Sequence, residues 1–163
     1  MRYTLVSDGS SDRCLIPIIT WTLAQAVPQR SELTIVEQYA DGVRGELTLR
    51  LSEAYQRYPC EILFVHRDAE GEAVEKRISE IRSGASQMGL ARYVPVVPVR
   101  MSEAWLLTDE QAIRQAAGNP HGTQKLSLPG RKRIEDVSDP KEVLHKCLIE
   151  ASQKSVRPRP CPP

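Results

Sequence analysis

Alternation of apolar and polar positions divides the first two-thirds of the chain into short strands and amphipathic helices. Tyr3 to Ser7 is a β run, stopped by Asp8-Gly9-Ser10-Ser11, a cluster of turn and cap residues. Leu15, Ile16, Ile18, Ile19 and Leu23 then recur as the apolar set of a helix, with Asp12 as its cap. Pro17 is tolerable only near the start of that helix, where backbone N–H groups lack partners anyway. Leu33 to Tyr39 reads as a second strand, broken at Asp41-Gly42. Glu46 to Tyr58 reads as a helix, ended by Pro59. Glu61 to Val65 is a compact apolar run, the pattern of a strand buried on both faces. Glu72 to Met88 is a charged helix with Val74, Ile78 and Ile81 along one side. Arg92 to Val99 is a fourth strand, and Pro95 and Pro98, which cannot donate to a ladder, make it an edge strand or an irregular one.

Ser102 opens a further helical stretch, Ser-Glu-Ala-Trp-Leu-Leu, followed by Asp109 to Ala117 and closed by Gly118-Asn119-Pro120. Residues 119–139 have few periodic apolar positions and read as a long loop. Pro140 begins a last helix to about Gln153, and Ser155 to Pro163 is a Pro-rich tail expected to be disordered or extended. The β-α-β-α-β-α-β order predicts an α/β fold with a mostly parallel central sheet of about four strands and helices on both faces. Residues 1–154 are expected to form one domain.

Composition changes this picture little. The 163 residues are 40% hydrophobic and 26% charged, ordinary values for a globular domain, and a single Phe leaves the core to Leu, Ile, Val and Trp. A net charge of +1 gives no footprint of a strong nucleic-acid binder or of a membrane-surface protein, so any polyanion contact is local. No stretch approaches the roughly 18 apolar residues of a membrane span, and the first residues lack a signal peptide's apolar run. The four cysteines are scattered without metal spacing. A cytoplasmic location is the expectation.

In parallel α/β sheets, ligands sit at the carboxyl ends of strands. Those ends carry acidic groups here: Asp8 after the first strand, Asp68 and Glu70 after the third, and Glu103 after the fourth. If the first and third strands are neighbours, Asp8 and Asp68 would face each other. One such residue alone reads as an ordinary turn or cap. Several at matching positions repel unless a cation neutralises them, and hard oxygen ligands suit Mg²⁺ or Mn²⁺. Ser10 and Ser11 could hold a phosphate before the first helix, with Arg13 and Arg67 as further phosphate contacts. His66, at a strand end, could act as base or ligand. The basic stretch Arg131-Lys132-Arg133 reads as a solvated loop. Dinucleotide, P-loop and nucleophile-elbow motifs are absent.

Three segments resemble a known family. LVSDGSSDRCLIPII is similar to the opening of a TOPRIM domain, FVHRDAEGE resembles its Asp-x-Asp motif, and PVRMSEAWLLTD resembles the TOPRIM-like domain of unknown function 4276. The resemblance covers roughly residues 3 to 150 and implies a Rossmann-like TOPRIM fold. It implies a Mg²⁺- or Mn²⁺-dependent nuclease related to the overcoming-lysogenization-defect enzymes, in a bacterial phage-defence setting. The partners it implies are a nucleic acid and an ATPase encoded nearby; a homodimer is compatible with it. Carried over, Asp8, Asp68 and Glu103 are the catalytic set, joined by Glu70 as metal ligands. Ser10, Ser11, Arg13, His66 and Arg67 would bind substrate. Two departures stand out: Asp8 replaces the usual Glu, and His66 stands where the first Asp of the pair belongs. The alternative is a non-catalytic TOPRIM-like subunit that binds nucleic acid or a partner.

Overall fold

Tyr3, Thr4, Leu5 and Val6 are all buried, so the first strand must be covered on both faces and both edges. A computed structural model describes residues 1–26 and 34–152 and supplies that cover. Strands β1 (Arg2–Val6), β2 (Val36–Tyr39), β3 (Ile62–His66) and β4 (Tyr93–Val96) form one all-parallel sheet in the order β2-β1-β3-β4. The central pair is set in register by Tyr3 opposite Ile62 and Val6 opposite Val65. β4 lies at the edge, where one side of the strand has no ladder to feed and Pro95 is tolerated.

Helices α1 (Leu15–Ala26), α2 (Leu47–Arg57) and α3 (Val74–Gln87) connect these strands. Side chains alternate across a strand, so Thr4, Val6, Leu63 and Val65 share one face. There Leu51 and Ala54 of α2 and Ile81 of α3 complete a core with Val6, Leu63 and Val65. The opposite face carries Tyr3, Leu5, Phe64 and His66. Tyr3 packs edge-on against Phe64 with centroids 5.4 Å apart, and its hydroxyl donates to the Ile16 carbonyl of α1 at 3.1 Å. The helix α2 is capped by the Glu46 carboxylate, which accepts from the Thr48 and Leu49 N–H groups at 3.1 and 3.4 Å.

A 3-10 turn, Ser10–Cys14, precedes α1 and corrects the expected cap. Asp12 lies inside that turn, and its carboxylate reaches back to the Gly9 N–H at 3.0 Å. The turn extends the helical path toward β1, so the N–H group needing an acceptor is Gly9's, ahead of the place where the apolar periodicity begins.

The chain divides into two compact units, Met1–Val99 and Arg100–Pro163. The second contains α4 (Glu103–Leu106), α5 (Glu110–Ala116) and α6 (Pro140–Ser152). Asp109 and Asp139 cap α5 and α6, accepting from Ala112 N and Glu142 N at 3.1 and 2.8 Å. Ile113, Leu126, Cys147 and Ala151 form its core. Residues 119–139 are irregular except for a 3-10 turn at Arg131–Arg133, whose basic side chains are exposed. Leu33, expected to open the second strand, and the tail 155–163 lie outside the described residues. No helix among the described residues is long and apolar enough to cross a membrane.

Candidate functional site

β1 and β3 are adjacent and parallel, so the loops leaving their carboxyl ends meet. The register decides which side chains meet. Val6 pairs with Val65, so continuing both chains two residues sets Asp8 level with Arg67, not with Asp68. Asp8 keeps the alternation of Thr4 and Val6 and points to the face covered by α2. There its Oδ1 accepts from Arg50 Nη1 at 2.6 Å and its Oδ2 from Arg67 Nε at 3.3 Å. Arg50 also donates through Nη2 to the Ser7 carbonyl at 2.5 Å. Burial alone would raise the Asp8 pKa, but the Arg50 hydrogen bond and the Arg50 and Arg67 charges outweigh it and hold the carboxyl below its usual range.

The opposite face holds a second cluster. His66 is only 1% exposed. Its Nδ1 lies 2.9 Å from the Val96 carbonyl, which can only accept, so Nδ1 carries a proton. Its Nε2 faces two carboxylates, Asp68 Oδ1 at 3.3 Å and Asp12 Oδ2 at 3.9 Å. Burial disfavours the charged ring, but the Asp68 and Asp12 carboxylates outweigh it and raise the His66 pKa. The ring is buried between two acids, which favour its protonated form. The Asp68 Oδ1 atom is itself buried with no hydrogen-bond partner, so its contact with the ring is an ion pair without good hydrogen-bond alignment.

The loop between the clusters is pinned from the edge strand β2. Tyr39 donates its hydroxyl to the Gly9 carbonyl at 2.6 Å and lies 2.8 Å from Ser7 Oγ, which also donates to Gly9 O at 3.0 Å. Arg13 stacks its guanidinium 5.0 Å above the Tyr39 ring. Ser10, Ser11 and Arg13 are exposed along this loop, open to an incoming anion. Tyr39→Phe is expected to cost about 1 kcal/mol in urea denaturation, because it removes one half-buried hydroxyl and leaves Ser7 Oγ to hold Gly9 O alone.

The expected site residues thus separate. Asp8 and Asp68 do not face each other; Asp8 joins Arg50 and Arg67, and Asp68 joins His66 and Asp12. The reason is the two-residue period of a strand, which sends residues 8 and 68 to opposite sides under this register. Glu70 is exposed at a left-handed turn with φ 55°, 3.9 Å from Arg77 Nη2. Glu103 opens α4 in the second unit, where it lines a hollow with Asp139, Lys141, Glu142 and His145. Among the described residues, no three His, Cys, Asp or Glu side chains are grouped to hold a metal ion.

Sequence reasoning overlooked Arg50, Asp12 and Tyr39 as site residues. Arg50 had a signal: it falls on the apolar stripe of α2 with Leu47, Leu51 and Ala54, where a charge needs a buried partner. Asp12 and Tyr39 had none beyond residue type. Comparison of the chain with protein-family models, with curated proteins and with solved structures finds no match.

Proposed function

We propose that this chain is a TOPRIM-like, Mg²⁺- or Mn²⁺-dependent phosphodiesterase acting on nucleic acid at the carboxyl ends of β1 and β3. The observation that carries the reading is Asp68 Oδ1, a buried carboxylate oxygen without a hydrogen-bond partner at a strand end, with the Asp12 carboxylate across the same imidazole. A carboxylate oxygen whose contact with the ring lacks hydrogen-bond alignment fits a hard cation. Mg²⁺ in phosphoryl-transfer sites is commonly held by only one or two carboxylates, with water and substrate phosphate completing its shell. Asp68 and Asp12 are that pair. When bound, the ion would lower the pKa of a water and stabilise the leaving oxygen.

The chain's own residues then divide the remaining work. His66 stands between the two carboxylates, and the Gly9 N–H holds that of Asp12. Asp8 is paired with two guanidinium groups, those of Arg50 and Arg67. Its role is to fix Arg67 toward a phosphate. Ser10, Ser11 and Arg13 offer hydroxyl and guanidinium donors to the same group. An ATPase encoded nearby remains the partner that the family resemblance suggests.

The test uses the full chain with single- and double-stranded DNA and RNA in Mg²⁺ or Mn²⁺, beside Asp68→Asn and Asp12→Asn. Cleavage reduced at least about 100-fold in both variants supports the reading, the range expected when a metal ligand is lost. No cleavage by the wild type, with and without the neighbouring ATPase, would overturn it. One observation favours the alternative, a non-catalytic binding subunit: the His66 ring already stands between Asp12 and Asp68. That reading predicts oligonucleotide binding insensitive to added Mg²⁺ or Mn²⁺.

A further inference from the structure

We infer that the outward face of α1, with Glu37 of β2 beside it, is the self-complementary contact of a twofold homodimer. α1 runs twelve residues, LIPIITWTLAQA, without a charged side chain. Leu15 and Ile19 point inward and are buried. A second stripe, Ile16, Pro17, Thr20, Trp21 and Ala24, follows the spacing of one helix side and lines a groove with Arg13 and Glu37. Trp21 on this stripe is 65% exposed, and the adjacent Ile18 is 42% exposed. A helix that is apolar on both sides is one that is covered on both sides. An interfacial membrane helix carries Lys and Arg along its polar side, and α1 carries neither, so the second cover is a protein surface.

The charges of the groove select that surface. Arg13 stands just before the stripe, and Glu37 stands beside its later half, where Glu37 Oε2 accepts from Thr20 Oγ1 at 3.1 Å. Both are exposed, and among the described residues neither has an ion-pair partner: Arg13 lies over the Tyr39 ring and Glu37 meets a hydroxyl. Thr20 does not interrupt the apolar stripe, because its hydroxyl is engaged by Tyr3 Oη at 2.8 Å as well as by Glu37. The matching surface therefore presents an anion at one end of an apolar stripe and a cation at the other. This chain presents that pattern itself. With two copies of α1 antiparallel about a twofold axis beside Ile16 and Pro17, residue 13 of each falls level with residue 20 of the other. Arg13 of each copy then meets Glu37 of the other, and the pairing occurs twice.

Under the same axis Trp21 of one copy falls against the Arg13 stem of the other, an aromatic anchor of the kind that carries most of the energy of a small contact. The stripe is short, so the interface is smaller than the roughly 800 Å² per partner of a standard one, and the dimer is a weak one, in the micromolar range. A guanidinium has five N–H donors, so pairing with Glu37 of the second copy leaves Arg13 others for an anion at the strand end.

The experiment is sedimentation velocity of the full chain from about 1 to about 500 µM, the range of a weak interface. The wild type should pass from monomer to dimer across it. Trp21→Ser should weaken association at least about 10-fold. Arg13→Glu and Glu37→Arg each set like charges together twice across the axis, and each should weaken association at least about 10-fold. Mixed in equal amounts, these two single variants should associate at least about 5-fold more tightly than either does alone, because each copy then carries the charge that the other lacks. Misfolded chains could not restore each other in this way. A wild type that stays monomeric across the range overturns the inference, and the face then belongs to a different protein. A dimer unaffected by Trp21→Ser overturns it too, as does a mixture that associates no better than its components.

Discussion

His66→Ala is expected to lower the unfolding free energy by about 3 kcal/mol at neutral pH in metal-free buffer. Three losses act together. The ring is fully enclosed, so its removal leaves a cavity. The Val96 carbonyl loses its 2.9 Å partner at the edge of the sheet. Asp12 and Asp68 lose the ring that stands between them, and their carboxylates then face each other without it. His66→Gln, which keeps most of the volume and a donor but no charge, should recover part of the loss. The charge itself is read from the pH dependence. The folded pKa of His66 is raised, so the imidazolium's stabilisation is complete below the unfolded value of about 6.5. It is lost as pH rises through the folded value. The stability gap between wild type and His66→Gln should therefore narrow in guanidinium titrations as pH rises through that folded value. A gap that is constant or widens with pH would show that the ring is neutral in the fold.

Arg50→Ala is expected to cost about 2 to 3 kcal/mol, with Arg50→Lys recovering less than half. Arg50 is 9% exposed and serves two acceptors at once, Asp8 Oδ1 and the Ser7 carbonyl. Lysine cannot reproduce that fork. Asp8 is 44% exposed, so its Coulomb share is screened and most of the cost lies in the Ser7 carbonyl and the buried stem. Asp8→Asn should accordingly be milder than Arg50→Ala. The Asp8 pKa is depressed, so its contribution is present above the ordinary carboxyl range and is lost as pH falls through the depressed value. Arg50→Ala should remove most of this acid sensitivity. Equal acid sensitivity in Arg50→Ala and wild type would place the depression elsewhere.

Much of the architecture could be read along the chain. The strand and helix order follows from apolar period and from the Gly and Pro punctuation between segments, all of them local signals. Pro95 lacks an N–H, which leaves its strand an edge or an irregular place, and β4 is an edge strand. Asp139 before Pro140 announces a helix start by residue type alone. The carboxyl ends of β1 and β3 were recognised as a place where charged groups collect, and they do collect there.

The pairing of those groups was not legible. Asp8 and Asp68 look equivalent along the chain, each a carboxylate just past a buried strand. Sequence determined that β1 and β3 belong to one parallel sheet and that acidic and basic side chains leave it at one end. Only the tertiary structure decided that Val6 lies opposite Val65. That register sends Asp8 to the α2 face, beside Arg50 and Arg67, and Asp68 to the α1 face, beside His66 and Asp12. The physical reason is that a strand's side chains alternate with a period of two, so a shift of one residue between neighbours moves a group to the other side of the sheet. Nothing local encodes that shift; it is set by how α1 and α2 pack their apolar faces against the two sides of the same strands.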